Sequence, residues 1–158
     1  MGTELSTCEQ AKVLYGEGRI GYIAGIVDGE GTIGAYVYSS KRYCDGQVLV
    51  VQFRITNKNI DVLNCCQMVL GGSIHPLKAR SNVNDAQCYY LQIYNKPNIK
   101  RALLIVLDYL IVKYEVAKLM LELIDSVEGH YHGSTPRELE IVTEMRALNK
   151  KGRELTEV

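Results

Sequence analysis

The segment Asp28-Gly29-Glu30-Gly31 puts two carboxylates and two glycines at the end of an apolar run that begins at Arg19. Within that run Gly21, Gly25 and Gly29 recur every fourth residue, with Ala24 and Asp28 beside them. A helix built from it presents one face with almost no side chains. Such a face lets two helices approach backbone to backbone. The partner could be another helix of the same chain or the same helix of a second copy, and the acid that ends the face speaks for the second copy. About a two-fold axis, two Glu30 side chains would meet at one end of the helix pair. Paired carboxylates supply hard oxygen ligands, the donor type suited to Mg²⁺, which keeps several waters and completes its shell with a substrate phosphate. Metals held there can activate water, polarise a phosphodiester and steady the leaving oxygen. The pairing face so defined comprises Gly21, Ala24, Gly25 and Asp28.

Positioning that acid requires a helix over Arg19 to Val27, stopped by the two glycines that follow. Before it, Thr7 and Gln10 have capping-box spacing and open a short helix to Tyr15. After it, Ile33, Ala35 and Val37 alternate with Gly34, Tyr36 and Tyr38, the period of a half-buried strand. Leu49, Val51, Phe53 and Ile55 repeat the pattern beyond a polar turn at Lys41 to Gly46, which predicts a hairpin. Asn57 or Asn59 caps a helix through Leu70, ended by Gly71-Gly72. Ser73 to Leu77 and Gln87 to Tyr94 read as two further strands around the polar loop Lys78 to Ala86. Pro97, preceded by Asn95 or Lys96, starts a helix that continues through Leu107 into a longer one from about Tyr109 to Val127. Thr135, Pro136 and Glu138 open a last helix to about Asn149, followed by a polar tail.

Ile23-Ala24-Gly25-Ile26-Val27-Asp28-Gly29-Glu30-Gly31 resembles the LAGLIDADG signature over nine contiguous positions, and Thr32-Ile33 continues it as in relatives. The wider resemblance to the LAGLIDADG homing endonucleases covers about Arg19 to Val127. It implies an α+β fold of order αββαββα, with a four-stranded antiparallel DNA-binding saddle and here an additional C-terminal helix. It further implies a single endonuclease domain over 1–158, core about 17–128, that binds Mg²⁺ through Glu30 and the Gly29 carbonyl. Mn²⁺ should substitute, and Ca²⁺ should bind without supporting efficient cleavage. By the same resemblance Asn57 and Lys113 stand around the nucleophilic water, Lys113 in the closing helix. Relatives often have Gln where Asn57 stands, and Glu30 replaces the commoner Asp. Because one motif is present, the resemblance implies a homodimer acting on a pseudo-palindromic duplex and leaving short 3′ overhangs, encoded within an intron.

The outward face of the sheet would then carry Tyr36, Tyr38, Ser40, Gln52, Arg54, Thr56, Ser73, His75, Tyr90 and Gln92. Strands in the major groove reach base edges, with Arg suited to guanine and Gln to adenine. Lys41, Arg42, Lys78 and Arg80, in the two hairpin loops, would extend the footprint along phosphates. The formal net charge is zero, yet residues 34 to 101 hold nine Lys/Arg against three Asp/Glu, giving +6 between flanks of −3 each. That asymmetry suits a polyanionic partner better than the total suggests.

Other chemistries fit less well. Gly29, Gly31 and Gly34 spell GxGxxG, but a dinucleotide fingerprint follows a strand and opens a helix, and here the order is reversed. His130 and His132 lack further ligands at metal-binding spacing. The five cysteines, Cys8, Cys44, Cys65, Cys66 and Cys88, are odd in number and lack CxxC spacing, which reads as free thiols in a reducing compartment, prokaryotic cytoplasm or organelle interior. Met1 to Gln10 does not read as a signal peptide, and Ala102 to Val112 is too short to span a bilayer. No membrane association or organic cofactor is expected. Two other functions share the motif: an RNA maturase assisting intron splicing, and a non-catalytic DNA-binding regulator keeping the helix only to dimerise. An acid at the helix end favours the nuclease.

Overall fold

The computed structural model describes residues 5–42, 46–78, 87–127 and 134–154. Arg80, Cys44, His130 and His132 lie outside them. Helix α1 (Thr7–Tyr15) starts at a capping box one residue ahead of the expected one. Ser6 Oγ accepts the Glu9 amide, and the Glu9 carboxylate accepts the Ser6 amide at 2.7 Å. Thr7 and Gln10 share the spacing, but a carboxylate is the stronger acceptor, and Gln10 donates to the Leu5 carbonyl instead.

Helix α2 (Glu17–Glu30) runs past its expected end at Val27 and takes in Asp28, Gly29 and Glu30. The glycines do not stop it, because its last turn is held from outside, by a segment just before residue 114 described below. The end comes at Gly31, whose amide bonds the Val27 carbonyl. A Cβ on Gly31 would lie 2.5 Å from that same oxygen. Gly31→Ala is therefore expected to destabilise the fold by about 1–3 kcal/mol, read as a lower urea midpoint at unchanged m-value.

Strands β1 (Gly31–Ser39) and β2 (Gln47–Asn57) pair antiparallel from Gly31↔Ile55 to Ser39↔Gln47. Helix α3 (Ile60–Leu70) is capped by Asn59, whose side chain accepts the Asp61 amide at 2.9 Å, which leaves Asn57 for another task. At Gly72, with φ 94°, a Cβ would sit 2.6 Å from the Gln92 carbonyl, so only glycine fits the turn into β3 (Ser73–Pro76). β3 and β4 (Tyr89–Ile93) are shorter than their alternation suggested, though the Leu77 amide still bonds the Cys88 carbonyl. The four strands form one antiparallel sheet in the order β1-β2-β4-β3. Ile33, Ala35, Phe53, Ile55, Leu91 and Ile93 point inward and are buried. Burial of alternate residues is what fixes which face looks out.

Helix α4 (Lys96–Val106) begins with Asn95 accepting the Asn98 amide and Pro97 in the first turn. The expected continuous helix onward from Tyr109 is not formed. A 3₁₀ turn at Leu107–Tyr109 and extended Leu110 intervene, and α5 (Tyr114–Val127) starts after Lys113, whose carbonyl accepts the Ala117 amide. Helix α6 (Pro136–Glu154) has the expected reciprocal cap between Thr135 and Glu138, with Ser126 Oγ also donating to the buried Glu138 carboxylate at 2.8 Å. It outlasts its expected end at Asn149, whose Nδ2 donates to the Ile33 carbonyl at 3.0 Å and ties α6 to the edge strand β1. Arg137 clasps it to α5 through Glu122. Among the described residues the helices thus cover one sheet face with a single apolar core and leave the other uncovered. No helix among the described residues is long and apolar enough to cross a membrane.

Candidate active site and nucleic-acid interface

Glu30 is the last residue of α2 and is exposed. Because Gly31 pairs with Ile55, the end of β2 overhangs the end of α2, and Asn57 Nδ2 donates to Glu30 Oε2 at 2.7 Å. Asn57 Oδ1 in turn accepts the Asn59 amide at 2.8 Å, which orients the Asn57 amide group. Glu30 Oε1 has no protein partner among the described residues. A carboxylate steadied through one oxygen and open at the other is a ready cation ligand.

Three contacts brace the same helix end from the opposite side. The Asp28 carboxylate accepts the backbone amides of Ile111 at 2.7 Å and Lys113 at 2.9 Å, and the Lys113 ammonium donates to the Asp28 carbonyl. Burial holds the half-buried Lys113 ammonium below the usual lysine range, and the Asp28 carboxylate partly restores it. A cation at a helix C-terminus also answers the negative end of its dipole. Lys113 therefore reaches the site from the bend before α5, not from within the closing helix as expected. Behind the site, burial first, then the charges of Cys65 and Glu30, push the Cys66 thiol up to about 12, which leaves it unreactive. Cys8, Cys65, Cys66 and Cys88 are free thiols.

The expected pairing face needs one correction. Ala24 is fully buried in the chain's own core, so it faces inward and cannot meet another subunit. The outward face of α2 consists of Gly18, Tyr22, Gly25 and Gly29, whereas a Cβ on Gly21 would lie 3.9 Å from Tyr109 Cδ1, in ordinary contact with the chain's own ring. Among the described residues, nothing beyond the helix's own neighbouring backbone would lie within 4 Å of a Cβ on Gly25 or Gly29. Asp28 is spent within the chain, and what it pins there is Ile111 and Val112, 86% and 73% exposed. Ile111 and Val112 were not singled out in the sequence, where they read as the interior of an apolar helix.

Among the described residues no three His, Cys, Asp or Glu side chains gather to hold a metal ion. One chain brings one free carboxylate and main-chain carbonyls to the end of α2. That donor set fits a strongly hydrated hard cation shared with other ligands, not a closed structural site.

On the uncovered sheet face the register aligns Thr32, Arg54, Gln92 and Ser73 in one row, with Thr56, Tyr90 and His75 in the next. Arg54 Nε donates to Gln92 Oε1 at 3.0 Å, and its guanidinium lies 4.2 Å from the Tyr90 ring centroid. Tyr36 and Tyr38 are exposed neighbours along β1, and Gln52 lies opposite Gly34. Ser40, Lys41, Arg42 and Lys78 stand where the hairpins turn, Ser40 Oγ accepting the Arg42 amide. None of Lys41, Arg42, Arg54, Lys58 or Lys78 is in an ion pair among the described residues. Gln92 differs from expectation, because its amide donates to the Phe53 and Ile93 carbonyls and its oxygen is taken by Arg54. It supports a neighbour and is not free to read adenine. Thr32 and Tyr94 also face outward and were missed, although the strand alternation carried the signal; the Tyr94 hydroxyl lies 3.1 Å from His75 Nε2.

No protein-family model and no curated protein matches the chain. Solved structures do. An archaeal intron-encoded homing endonuclease, I-Vdi141I, complexed with DNA, is 21% identical with a TM-score of 0.67, over 84% of each chain. The homing endonuclease I-TnaI is 24% identical with a TM-score of 0.62, over 85% of this chain and 96% of that one. I-CvuI, in complex with a DNA target in the presence of 2 mM Mg, is 23% identical with a TM-score of 0.59, over 84% of this chain and 78% of that one. At these identities the likeness is one of fold.

Proposed function

We propose, from the fold the chain shares with the LAGLIDADG homing endonucleases, that it is a site-specific double-strand DNA endonuclease acting as a homodimer with Mg²⁺. The observation that carries this reading is the placement of Glu30. Its carboxylate stands exposed at the end of a helix whose outward face is bare at Gly25 and Gly29. Two copies packed there about a two-fold axis bring two carboxylates together, which one chain alone does not provide.

Glu30 and the Gly29 carbonyl would hold the metal, which when bound supplies water activation and stabilisation of charge on the phosphodiester. The chain's own residues prepare that site. Asn57 fixes the Glu30 rotamer, and the Asp28 contacts hold Lys113 at the helix end, where its ammonium offsets negative charge building on the cleaved phosphate. The two sheets would each lie in a major groove on one half-site, the cations at the hairpins meeting phosphates. Cleavage at the centre of a pseudo-palindromic site, across the minor groove and leaving 3′ overhangs, follows from the family resemblance in the motif.

The test is incubation of purified protein with a randomised library of long duplex sites in Mg²⁺, Ca²⁺ or chelator. Site-specific cutting of both strands is expected in Mg²⁺, binding without efficient cutting in Ca²⁺, and no cutting in chelator. Sequence-specific binding with no cutting in any metal would overturn the nuclease in favour of a regulator; neither binding nor cutting would point to structured intron RNA.

A further inference from the structure

We infer that Arg54 reads a guanine at one fixed position of each half-site, using the two terminal nitrogens of a guanidinium that the sheet itself holds in place. The inference rests on the DNA-endonuclease reading above and names one base within its target. An arginine can offer a base two donors in a fork either from its Nε edge or from its Nη1/Nη2 end. At Arg54 the first choice is closed, because Nε donates to Gln92 Oε1 at 3.0 Å. Gln92 cannot yield that contact cheaply, since its own amide is held by the Phe53 and Ile93 carbonyls, each at 3.3 Å. Nη1 and Nη2 have no partner among the described residues.

The guanidinium is also held against an aromatic face. Its carbon lies 4.2 Å from the Tyr90 centroid, and Tyr90 packs on His75 at 5.4 Å, whose Nε2 lies 3.1 Å from the Tyr94 hydroxyl. The braced chain of side chains crosses from β2 to β4 to β3. Ordering the arginine before binding removes part of the entropy that an unbraced surface arginine loses on contact. Two parallel donors match the N7 and O6 acceptors of guanine. Adenine sets a donor against one of them, and thymine offers a single acceptor beside a methyl group.

The experiment compares base preference at every position of a duplex library, by binding in Ca²⁺ and cutting in Mg²⁺, for wild type, Arg54→Lys and Gln92→Leu. Wild type should select guanine at one symmetry-related position per half-site, by about ten- to a hundredfold over other bases. Arg54→Lys should lose most of that preference there and leave every other position unchanged. Gln92→Leu, which frees Nε without removing the guanidinium, should weaken the preference at the same position. Uniform weakening across all sequences would overturn the assignment and make Arg54 a phosphate contact, and so would cutting with an unaltered base preference. If wild type binds no duplex at all, the assignment and the endonuclease reading fall together.

Discussion

Glu30→Gln should lower double-strand cutting by about three orders of magnitude, equivalent to ~4 kcal/mol of transition-state stabilisation, while duplex binding measured in Ca²⁺ stays within a few-fold of wild type. The substitution is nearly isosteric, and a glutamine oxygen can still accept the Asn57 amide in place of the Glu30 carboxylate oxygen. Glu30 is exposed and its removal as a charge leaves no buried group unpaired, so the fold should be unaffected. What changes is the charge offered to a cation at the end of α2. Plasmid cleavage in Mg²⁺ beside a gel-shift titration in Ca²⁺ measures both quantities. Near-wild-type cutting by the variant would remove Glu30 from the chemistry, and with it the two-fold carboxylate site.

The second large effect should come from the bare face of the same helix. Among the described residues of one chain Gly25 has open space where a side chain would go, and glycine inside a helix is the poorest residue after proline. Gly25→Leu should therefore leave the single subunit as stable as before, or more stable by up to about 1 kcal/mol. If two α2 helices pack on that face, the same leucine is forced into the contact twice, once from each subunit. Overpacking costs about 1–3 kcal/mol per site, so association should weaken by roughly 2–6 kcal/mol. Sedimentation should show monomers at concentrations where wild type is dimeric, with cutting lost in parallel. An unchanged dimer would place the subunit contact elsewhere, and a destabilised monomer would mean the face is already covered.

Much of the scaffold is legible in the amino-acid sequence, for identifiable reasons. Strand alternation was readable because the sheet has one wet face and one buried face, so each inward residue from Ile33 to Ile93 is apolar. The order of elements follows from caps, glycine stops and alternation along the chain, and the acid at the end of α2 from a local motif. The misreadings share a different cause, since each depends on a contact between residues distant in the chain. α2 keeps its last turn because Asp28 and Lys113 meet across 85 positions. The apolar run from Ala102 to Val112 hid a break in the helix because Asp28 takes the Ile111 amide that a continuous helix would have used internally. Ala24 reads as part of the outward face from its small size and its place beside the glycines, which do not distinguish a residue that lets helices approach from one packed beneath them. Gln92 looked free because sequence gives its parity on the strand but not the Arg54 beside it. The first cap slipped by one because two overlapping frames satisfy the same four-residue pattern.

The division of the sheet into a buried face and an uncovered one also bears on how such a protein changes over generations. Outward side chains such as Tyr36, Gln52 and Thr56 do not belong to the core, and substitutions at positions of that kind usually alter stability by no more than about 0.5 kcal/mol. If the sheet reads a duplex as proposed, a lineage can exchange them one at a time and follow a target whose bases drift, without passing through an unfolded intermediate. The braced set of Arg54, Gln92 and Tyr90 should be inherited and replaced together, since Gln92 and Tyr90 both lose a partner if Arg54 departs and Arg54 loses one with either of them. Gly31 has no such latitude in the fold, and Glu30 has none if it holds the proposed metal, so the end of α2 should persist as a fossil of descent while the strands beside it are rewritten.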